Sequence, residues 1–416
     1  MLFVGLILLY LAINKKFEPL LLVPIGFGTI LSNIPEIGLA YSGLEKIIFE
    51  NDPETLSNLA MLLGLDFINA DVVKNLDLVS LSNAERYAAE LGYTSGILYK
   101  FYSVSIGSGI APLLIFMGVG AMTDFGPMLA NPKTLILGAA AQFGIFATVI
   151  GALYLNNFEA FDFTLQQAAA TGIIGGADGP TAIYVASILA PELLGAIAVA
   201  AYSYMALVPV IIPFIVKFTV TKREILINMK EQDEKFPSSN EIKNLSKIKI
   251  IFPIVMTIVV SLIVPSSTPL IGFLMFGNLI KEIGSTTNRL SKAASNNILN
   301  TSTIFLGLSI GATMTPDSFL NTQTIGIIVG GLFAFVISII GGIMAVKIFN
   351  LTTKKKINPL IGATGLSAVP MASRVANEIA IKHDPKNHIL HYAMASNISG
   401  VIGSAVAAGV LISFLG

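Results

Sequence analysis

Asp178 is the only acid in a long apolar run, TGIIGGADGPTAIYVAS, at residues 171–187. An ionised side chain at membrane depth costs about 2.5–3.5 kcal/mol even on the mildest insertion scale, so such acids usually face a cavity and serve transport. Gly175 and Gly176 precede the acid and a Gly-Pro pair follows it, a combination that interrupts a helix. A carboxylate at a helix break indicates a cation site; the alternative is a structural Asp held by backbone N–H groups.

A second broken apolar segment repeats this pattern without the acid. GATGLSAV at 362–369 aligns with GADGPTAI at 176–183. The amide of Asn358 and the hydroxyl of Ser367 offer neutral oxygens for sodium, and Gly362 exposes backbone carbonyls, which coordinate sodium in broken transporter helices. Without the repeat, helix packing would be the better assignment for Ser367, because small residues line membrane helix contacts.

Two more side chains have chemistry suited to such a site. The phenol of Tyr204, in AYSYMALVP, is suited to ligating a cation or relaying a proton, and equally to packing at a membrane interface. The guanidinium of Arg374, in MASRVANE, is suited to clamping a carboxylate with two hydrogen bonds. Its alternative partner is a lipid phosphate, which a snorkelling arginine reaches near an interface.

Other polar residues are predicted to be structural. Asp124, in MTDFGP, follows an apolar segment and is expected to cap or turn the chain. The three histidines cluster in IKHDPKNHILHY without an acid or thiol at convincing metal-binding spacing, which predicts a solvated loop. The sequence contains no GxSxG, HExxH or phosphate-loop motif.

The composition is that of a membrane protein. The 416 residues are 54% hydrophobic and 12% charged, whereas soluble domains carry about 25% charged residues. The net charge is zero, so composition gives no reason to expect a nucleic-acid partner. The chain has no cysteine, which excludes disulfides, thiolate metal sites and cysteine nucleophiles. We therefore predict an all-α polytopic membrane protein.

Ten apolar segments predict membrane spans, and two others are broken by Gly and Pro near their middles. Several of the ten are shorter than the roughly 20 residues that a helix needs to cross hydrocarbon, as expected where helices are broken or covered by neighbours. The broken stretches are 164–190 and 357–376. The predicted spans are 1–14, 17–35, 107–122, 133–156, 193–217, 247–264, 268–283, 297–313, 323–350 and 387–415.

Short motifs recur in the same order in two halves of the chain. FGTILSNI at 27–34 matches FGNLIKEI at 276–283, and IFMG at 115–118 matches IFLG at 304–307. The broken segments supply a third match. For any one match, the bias of membrane helices toward small residues is the alternative explanation.

Lysine-rich segments set the predicted orientation, because positively charged loops stay cytoplasmic. These segments are Lys15 and Lys16, residues 218–249, and residues 354–356. The halves then run in opposite directions, as two inverted-topology repeats of about five spans plus one re-entrant hairpin each. We predict a first repeat at 1–217 with an extracytoplasmic insertion at about 48–100, a cytoplasmic linker at 218–246 and a second repeat at 247–416.

The sequence resembles the beta subunits of the sodium-pumping biotin-dependent decarboxylases, which act on oxaloacetate, methylmalonyl-CoA, malonate or glutaconyl-CoA. The resemblance covers nearly the whole chain. Its most specific segments are KKFEPLLLVPIGFG, GSGIAPLLIFMGVGAMTDFGPMLANP, GIIGGADGPTAIY and INPLIGATGLSAVPMASRVA. In that family a soluble subunit transfers a carboxyl group to biotin on a carrier domain. The beta subunit then decarboxylates carboxybiotin, consumes a proton and exports sodium.

The resemblance implies site residues, cofactors and partners for this chain. The cofactors would be Na⁺ and a carboxybiotin carried on a partner subunit. The partners would be biotin carrier and carboxyltransferase subunits and a small gamma-type membrane subunit, around a homotrimer in the bacterial cytoplasmic (inner) membrane. The implied catalytic residues are Asp178, Tyr204 and Arg374. The implied sodium-binding residues are Asp178, Tyr204, Asn358, Gly362 and Ser367, with Na⁺ held at Asp178, Asn358 and Ser367.

Two other functions fit the residues taken alone. A stand-alone sodium/proton antiporter would use the same repeat and the same acid, and would transport without a biotinylated partner. A non-catalytic scaffold for a soluble decarboxylase would keep turnover after Asp178 or Tyr204 is replaced, and the cost of burying the acid argues against it. The acyl substrate is not predicted, because that chemistry belongs to another subunit.

Overall fold

The computed structural model describes residues 1–69, 72–73, 76–130, 132, 134–236, 244–368 and 371–416. Across these ranges the chain forms helices joined by turns, with no β-strand, which confirms the predicted all-α class. Parts of the sequence predictions lie outside the described residues: 70–71 and 74–75 of the insertion, Lys133 of the fourth predicted span, 237–243 of the linker and 369–370 of the second broken segment.

The first half of the chain is a series of apolar helices that ends in a broken hairpin and one long helix. A π-helical turn, Ser103–Gly107, follows Ile97–Tyr102 and leads into Ile110–Met122. The helices are Leu2–Asn14, Pro19–Ser32, Ile97–Tyr102, Ile110–Met122, Gly126–Ala130, Thr134–Ala141, Phe143–Leu155, Leu165–Gly172, Gly179–Leu189 and Leu194–Thr219.

The second half presents the same order of elements. A π-helical turn, Ala293–Ile298, again leads into an apolar helix, Leu299–Thr313. A broken helical segment again precedes the last long helix. The helices are Leu245–Ile263, Thr268–Ile283, Asn288–Lys292, Leu299–Thr313, Pro316–Phe319, Thr322–Thr352, Pro359–Gly362, Met371–His383 and Leu390–Leu415.

Five helices in the described ranges are long and apolar enough to cross a membrane, which is compatible with a multi-pass membrane protein. The helices on either side of the first π-helical turn make a sixth candidate if their 58° bend is counted as one span. The sequence predicted ten spans, and the remaining predicted positions hold shorter helices. The five are Leu135–Leu155, Pro191–Thr219, Leu245–Ile263, Thr322–Thr352 and Leu390–Leu415.

Two of the short helices, Pro19–Ser32 and Thr268–Ile283, pack closely against helices of the opposite half. Gly28 lies against the Leu308 backbone, and its counterpart Gly277 lies against the Met117 backbone, so neither position has room for a side chain. Such close approach is how small residues let membrane helices pack.

The predicted insertion and linker are also helical. The insertion contains Gly43–Glu50, Pro53–Leu63 and Leu78–Glu90, which have an apolar core of their own that includes Leu44, Ile47, Leu59, Ala84 and Ala88. The described part of the linker contains two short helices, Lys222–Ile225 and Met229–Lys235. Lys347 pairs with Glu224 of this linker at 3.0 Å.

Candidate functional site

The first broken segment, which we call the first hairpin and define as residues 165–189, has its helix break immediately before Asp178. Its first helix tightens into a 3₁₀ turn, and Ala177 then adopts the left-handed conformation with φ of +55°. That conformation costs a non-glycine residue about 1–2 kcal/mol, so the surrounding packing must impose it. As a result Asp178 becomes the N-cap of Gly179–Leu189 and is only 6% exposed.

The Asp178 carboxylate accepts one backbone and one side-chain hydrogen bond. Oδ1 accepts from the Thr181 N–H at 3.3 Å, and Oδ2 accepts from the hydroxyl of Ser404 at 2.7 Å. A carboxylate has about four acceptor positions, so two bonds leave acceptor capacity for another group. Main-chain donors alone therefore do not account for the burial of this acid.

The second hairpin, defined as residues 358–383, meets the first hairpin at this point. The Ser367 N–H donates to the Gly176 carbonyl at 3.0 Å, and the hydroxyls of Ser367 and Ser404 lie 3.0 Å apart. A hydroxyl carries one proton, so Ser367 donates to Ser404 whenever Ser404 donates to Asp178. The two broken segments are thus joined by one backbone bond and by an Asp178–Ser404–Ser367 chain.

Tyr204 is buried, and its hydroxyl makes no hydrogen bond to Asp178, Ser404 or Ser367. Its hydroxyl donates to the carbonyl of Ile328 in Thr322–Thr352. Residues two positions apart on a helix point in different directions, and it is Tyr202 whose ring covers Gly179, with Oη 2.5 Å from where a Cβ would lie. The sequence suggested Tyr204 beside the acid; the structure puts Tyr202 there.

The other residues of the second hairpin have separate surroundings. Asn358 donates to the carbonyls of Ile225 at 2.8 Å and Ile227 at 3.0 Å, which fastens the hairpin to the linker. A Cβ on Gly362 would lie 2.7 Å from the carbonyl carbon of Gly342, so this glycine permits close helix packing. Arg374 is exposed on Met371–His383. The structure therefore brings Ser367, but not Asn358, into hydrogen-bonding distance of the Asp178 network.

Sequence reasoning missed three residues on neighbouring helices that hydrogen-bond to the two hairpins. Ser404 supplies the hydroxyl between Asp178 and Ser367. Asn397 donates to the carbonyls of Thr364 (3.2 Å) and Leu366 in the second hairpin. In the first hairpin the Gly175 carbonyl accepts from the hydroxyl of Ser338 at 2.6 Å. The available signal was a polar residue inside an apolar helix.

Several buried oxygens around the hairpins accept no hydrogen bond from any described residue. They include Gln142 Oε1, Tyr202 Oη and Asn397 Oδ1, each on a side chain no more than 5% exposed. A buried polar atom without a partner is costly, and in native proteins it often marks a place for a water or an ion. Neutral oxygens of this kind complement the single carboxylate in a site for a monovalent cation.

Asp124 has the structural role predicted for it. Its Oδ1 accepts from the Gly126 N–H at 2.9 Å and from Lys249 at 2.6 Å. Burial works to raise the pKa of Asp124, but the bonds from Lys249 and Gly126 outweigh it and hold the pKa below its usual value. Within the described ranges no three His, Cys, Asp or Glu side chains are grouped as metal ligands.

A cavity of about 330 Å³ lies beside the first hairpin but is unsuited to a cation. Apolar side chains form nearly all of its wall, including Leu155, Phe161, Phe163 and Phe333. None of the predicted site residues lines it. The contact between the hairpins, with its carboxylate and hydroxyls, is therefore the better candidate for ion chemistry.

A buried acid between two broken hairpins defines this molecule as a helical membrane protein of the ion-transporter type. The family model for the Na⁺-transporting oxaloacetate decarboxylase beta subunit matches residues 1–415, and the chain belongs to this family. The resemblance inferred from the motifs is thereby confirmed, and with it the assignment to the subunits of sodium-translocating decarboxylases.

Curated relatives extend over the whole chain. The oxaloacetate decarboxylase beta chain 2 of Salmonella typhi is 54% identical over 419 residues, which are 100% of this chain and 94% of that protein. The oxaloacetate decarboxylase beta chain of Klebsiella pneumoniae is 54% identical over 420 residues, with the same coverage. The methylmalonyl-CoA decarboxylase subunit beta of Propionigenium modestum is 47% identical over 416 residues, again covering 100% and 94%.

Proposed function

We propose that this chain is the membrane subunit that decarboxylates carboxybiotin, presented by a partner subunit, and couples this step to sodium export. The single observation that carries the proposal is the contact between the hairpins, where Ser367 bonds to Gly176 and is linked through Ser404 to Asp178. A buried acid at crossing broken helices is the arrangement by which transporters bind a cation inside a membrane.

In this proposal sodium binds at Asp178, with further oxygens from Ser367 and the hairpin carbonyls. The arriving cation displaces a proton from the carboxyl group of Asp178, because both stabilise the same negative charge. The engaged amide of Asn358 supports a different role for that residue, which is to hold the linker against the second hairpin. The packing of Gly362 likewise supports a positioning role.

The chemical step requires one proton for each carboxybiotin. The bond between the biotin nitrogen and the carboxyl carbon breaks, CO₂ leaves, and the electron pair that stays on nitrogen takes up a proton. Arg374 is exposed and free to face a carboxylate from outside the chain, for which a guanidinium is well shaped. Tyr204 lies deeper, against Thr322–Thr352, and relays the proton toward that face.

The coupling proposal includes the predicted inverted repeat. The repeated order of elements supports it, and so does a reciprocal contact between the halves. Asn33 donates to the Met314 carbonyl at 2.9 Å, and Asn278 donates to the Thr123 carbonyl at 2.8 Å. In this topology 48–100 is extracytoplasmic and 218–246 is cytoplasmic, and the hairpins enter from opposite sides. Exporting one charge against 100 mV requires about 2.3 kcal/mol, which decarboxylation supplies.

The proposed assembly is a homotrimer in the bacterial cytoplasmic membrane. Its partners are biotin carrier and carboxyltransferase subunits and a small gamma-type membrane subunit. The beta-chain names of the relatives support a multi-subunit complex. The match to a decarboxylase family over residues 1–415 favours this function over a stand-alone antiporter.

The test is the Asp178→Asn variant in the reconstituted complex, with Asp124→Asn as the matched control acid. Sodium-dependent decarboxylation and ²²Na⁺ uptake are measured on the same vesicles. Asp178→Asn is expected to lose both activities by a factor of roughly 100 or more, the scale of a buried charged interaction. Asp124→Asn is expected to keep both. Retention of both activities by Asp178→Asn would remove the acid from the mechanism.

A further inference from the structure

Gln142 interrupts an apolar helix beside the hairpin contact. The helix Thr134–Ala141 ends immediately before Gln142, and Phe143–Leu155 begins immediately after it. The side chain is 5% exposed, in the sequence GAAAQFGIFATV, and an amide in such surroundings is costly unless its polar atoms are used. Its Nε2 is used, because it donates to the carbonyls of Gly138 and Gly400, both at 3.2 Å.

The amide oxygen of Gln142 has no such use within the described parts of the chain. Oε1 is fully buried and accepts no hydrogen bond there. A Cβ built on Gly176 would lie 3.3 Å from this oxygen and 3.2 Å from Cβ of Ser404, so Gly176 lies between the two side chains. Gly176 also accepts the backbone bond from Ser367. The orphaned oxygen is therefore next to the residues that join the two hairpins.

We propose that Gln142 Oε1 is a ligand of the transported sodium ion and completes the site begun by Asp178 and the hairpin backbone. This inference rests on the proposed sodium site. A neutral amide oxygen leaves one negative charge in the ligand set, which suits a monovalent cation, whereas calcium sites recruit several carboxylates. Gln142 thus contributes both to affinity for sodium and to discrimination against divalent cations.

The competing explanation is that Gln142 only bridges helices through Nε2. Two substitutions separate these roles. Gln142→Met keeps the shape and removes both the oxygen and the donors. Gln142→Glu keeps an oxygen, adds a charge and removes the donors to Gly138 and Gly400. A ligand role makes the two variants different, and a bridging role makes them alike.

The measurement is decarboxylation by the reconstituted complex as a function of sodium concentration, with and without Ca²⁺. Gln142→Met is expected to raise the half-saturating sodium concentration roughly tenfold, the loss of one hydrogen-bond-sized contact, with the rate at saturating sodium preserved. Gln142→Glu is expected to keep near-normal sodium saturation and to acquire inhibition by Ca²⁺. The control Thr148→Val, which removes a hydroxyl bonded only to the Gly144 carbonyl, should leave sodium saturation unchanged.

An unchanged half-saturating concentration in Gln142→Met would overturn the inference, and so would equal impairment of the two variants. If Gln142→Met does not fold, Gln142→Glu decides alone: Ca²⁺ inhibition supports the ligand role and its absence contradicts it. Asp178→Asn is measured in parallel. If that variant keeps the wild-type sodium response, the proposed site fails as a whole; if it loses the response, a normal Gln142→Met contradicts only the amide ligand.

Discussion

The two hairpins share a sequence motif, but only the first hairpin has a charged residue within that motif. The alignment of GADGPTAI with GATGLSAV puts Thr364 where the first hairpin has Asp178, and Ser367 where it has Thr181. Asp178 accepts from the hydroxyl of Ser404, whereas the single hydroxyl proton of Thr364 is shared between the carbonyls of Ile361 at 2.7 Å and Ala393 at 2.9 Å. The side chain at the first position therefore accepts hydrogen bonds, and the side chain at the second position donates one.

Because of this difference, the two copies of the motif contribute unequally to the proposed ion site. Two carboxylates at the equivalent positions would repel each other and demand two positive charges. A hydroxyl at the second position keeps the turn and leaves one net negative charge in the proposed sodium site.

Placing an acid in the second hairpin should be strongly destabilising. The carboxylate of Thr364→Asp would face the carbonyl acceptors of Ile361 and Ala393, and an unpaired buried charge costs about 3–5 kcal/mol. The control Thr364→Val loses only this one hydroxyl donor and should cost about 1–2 kcal/mol. Thermal unfolding in detergent measures both, and equal stability of the two variants would contradict the asymmetry.

Crowding the second hairpin should cost less. Gly362→Ala forces a methyl group against the Gly342 backbone, which cannot rotate away, and overpacking of this kind costs about 1–3 kcal/mol. Gly330→Ala is the control on the facing helix, because no atom lies within 4 Å of its added Cβ. A lower unfolding temperature is expected for Gly362→Ala alone. If both variants unfold like the wild type, close packing does not explain this glycine.

Removing the hydroxyl between the hairpins should weaken sodium binding more than folding. Ser404→Ala takes one donor from Asp178, a change of about 1 kcal/mol, and is expected to alter the half-saturating sodium concentration roughly fivefold. Ser399→Ala is its control, since the Ser399 hydroxyl donates only to the Ala395 carbonyl of its own helix. Identical sodium saturation curves for the two variants would exclude Ser404 from the site.

The smallest effect is expected at Asp124, an acid outside the hairpins. Its side chain is 47% exposed, and exposed ion pairs contribute about 0–1 kcal/mol, so Asp124→Asn should change stability by no more than that. Because the folded state lowers the pKa of Asp124, the contribution is complete above its ordinary pKa and disappears as the pH falls through the folded value. Unfolding of wild type and variant from pH 7 downward should converge; a gap that widens in acid would reverse the sign.

The sequence located the hairpins because their signals are local. A charge in an apolar run and clusters of Gly and Pro identify a broken helix wherever the rest of the chain lies, and the repeat then indicated Ser367. The lysine pattern gave an orientation, which remains a prediction. The helix order was predicted as well, although several helices are shorter than a full span.

The missed residues depend on packing between distant helices. Tyr202 and Tyr204 have nearly the same local sequence, and only the rotation of their helix decides that Tyr202 lies over Gly179. Ser404 and Gln142 are isolated polar residues in apolar helices, and their partners lie in hairpins far away in the sequence. Asn358 looked like a ligand beside a helix break, but its amide is held by a linker whose docking no local pattern predicts.

The sharpest test of a sodium site between the hairpins is equilibrium binding of ²²Na⁺ to the purified chain, without carboxybiotin or partner subunits. We expect saturable binding to the wild type and to Asp124→Asn, and no saturable binding to Asp178→Asn over the same range of sodium concentrations. Wild-type binding by Asp178→Asn would contradict a sodium site between the hairpins.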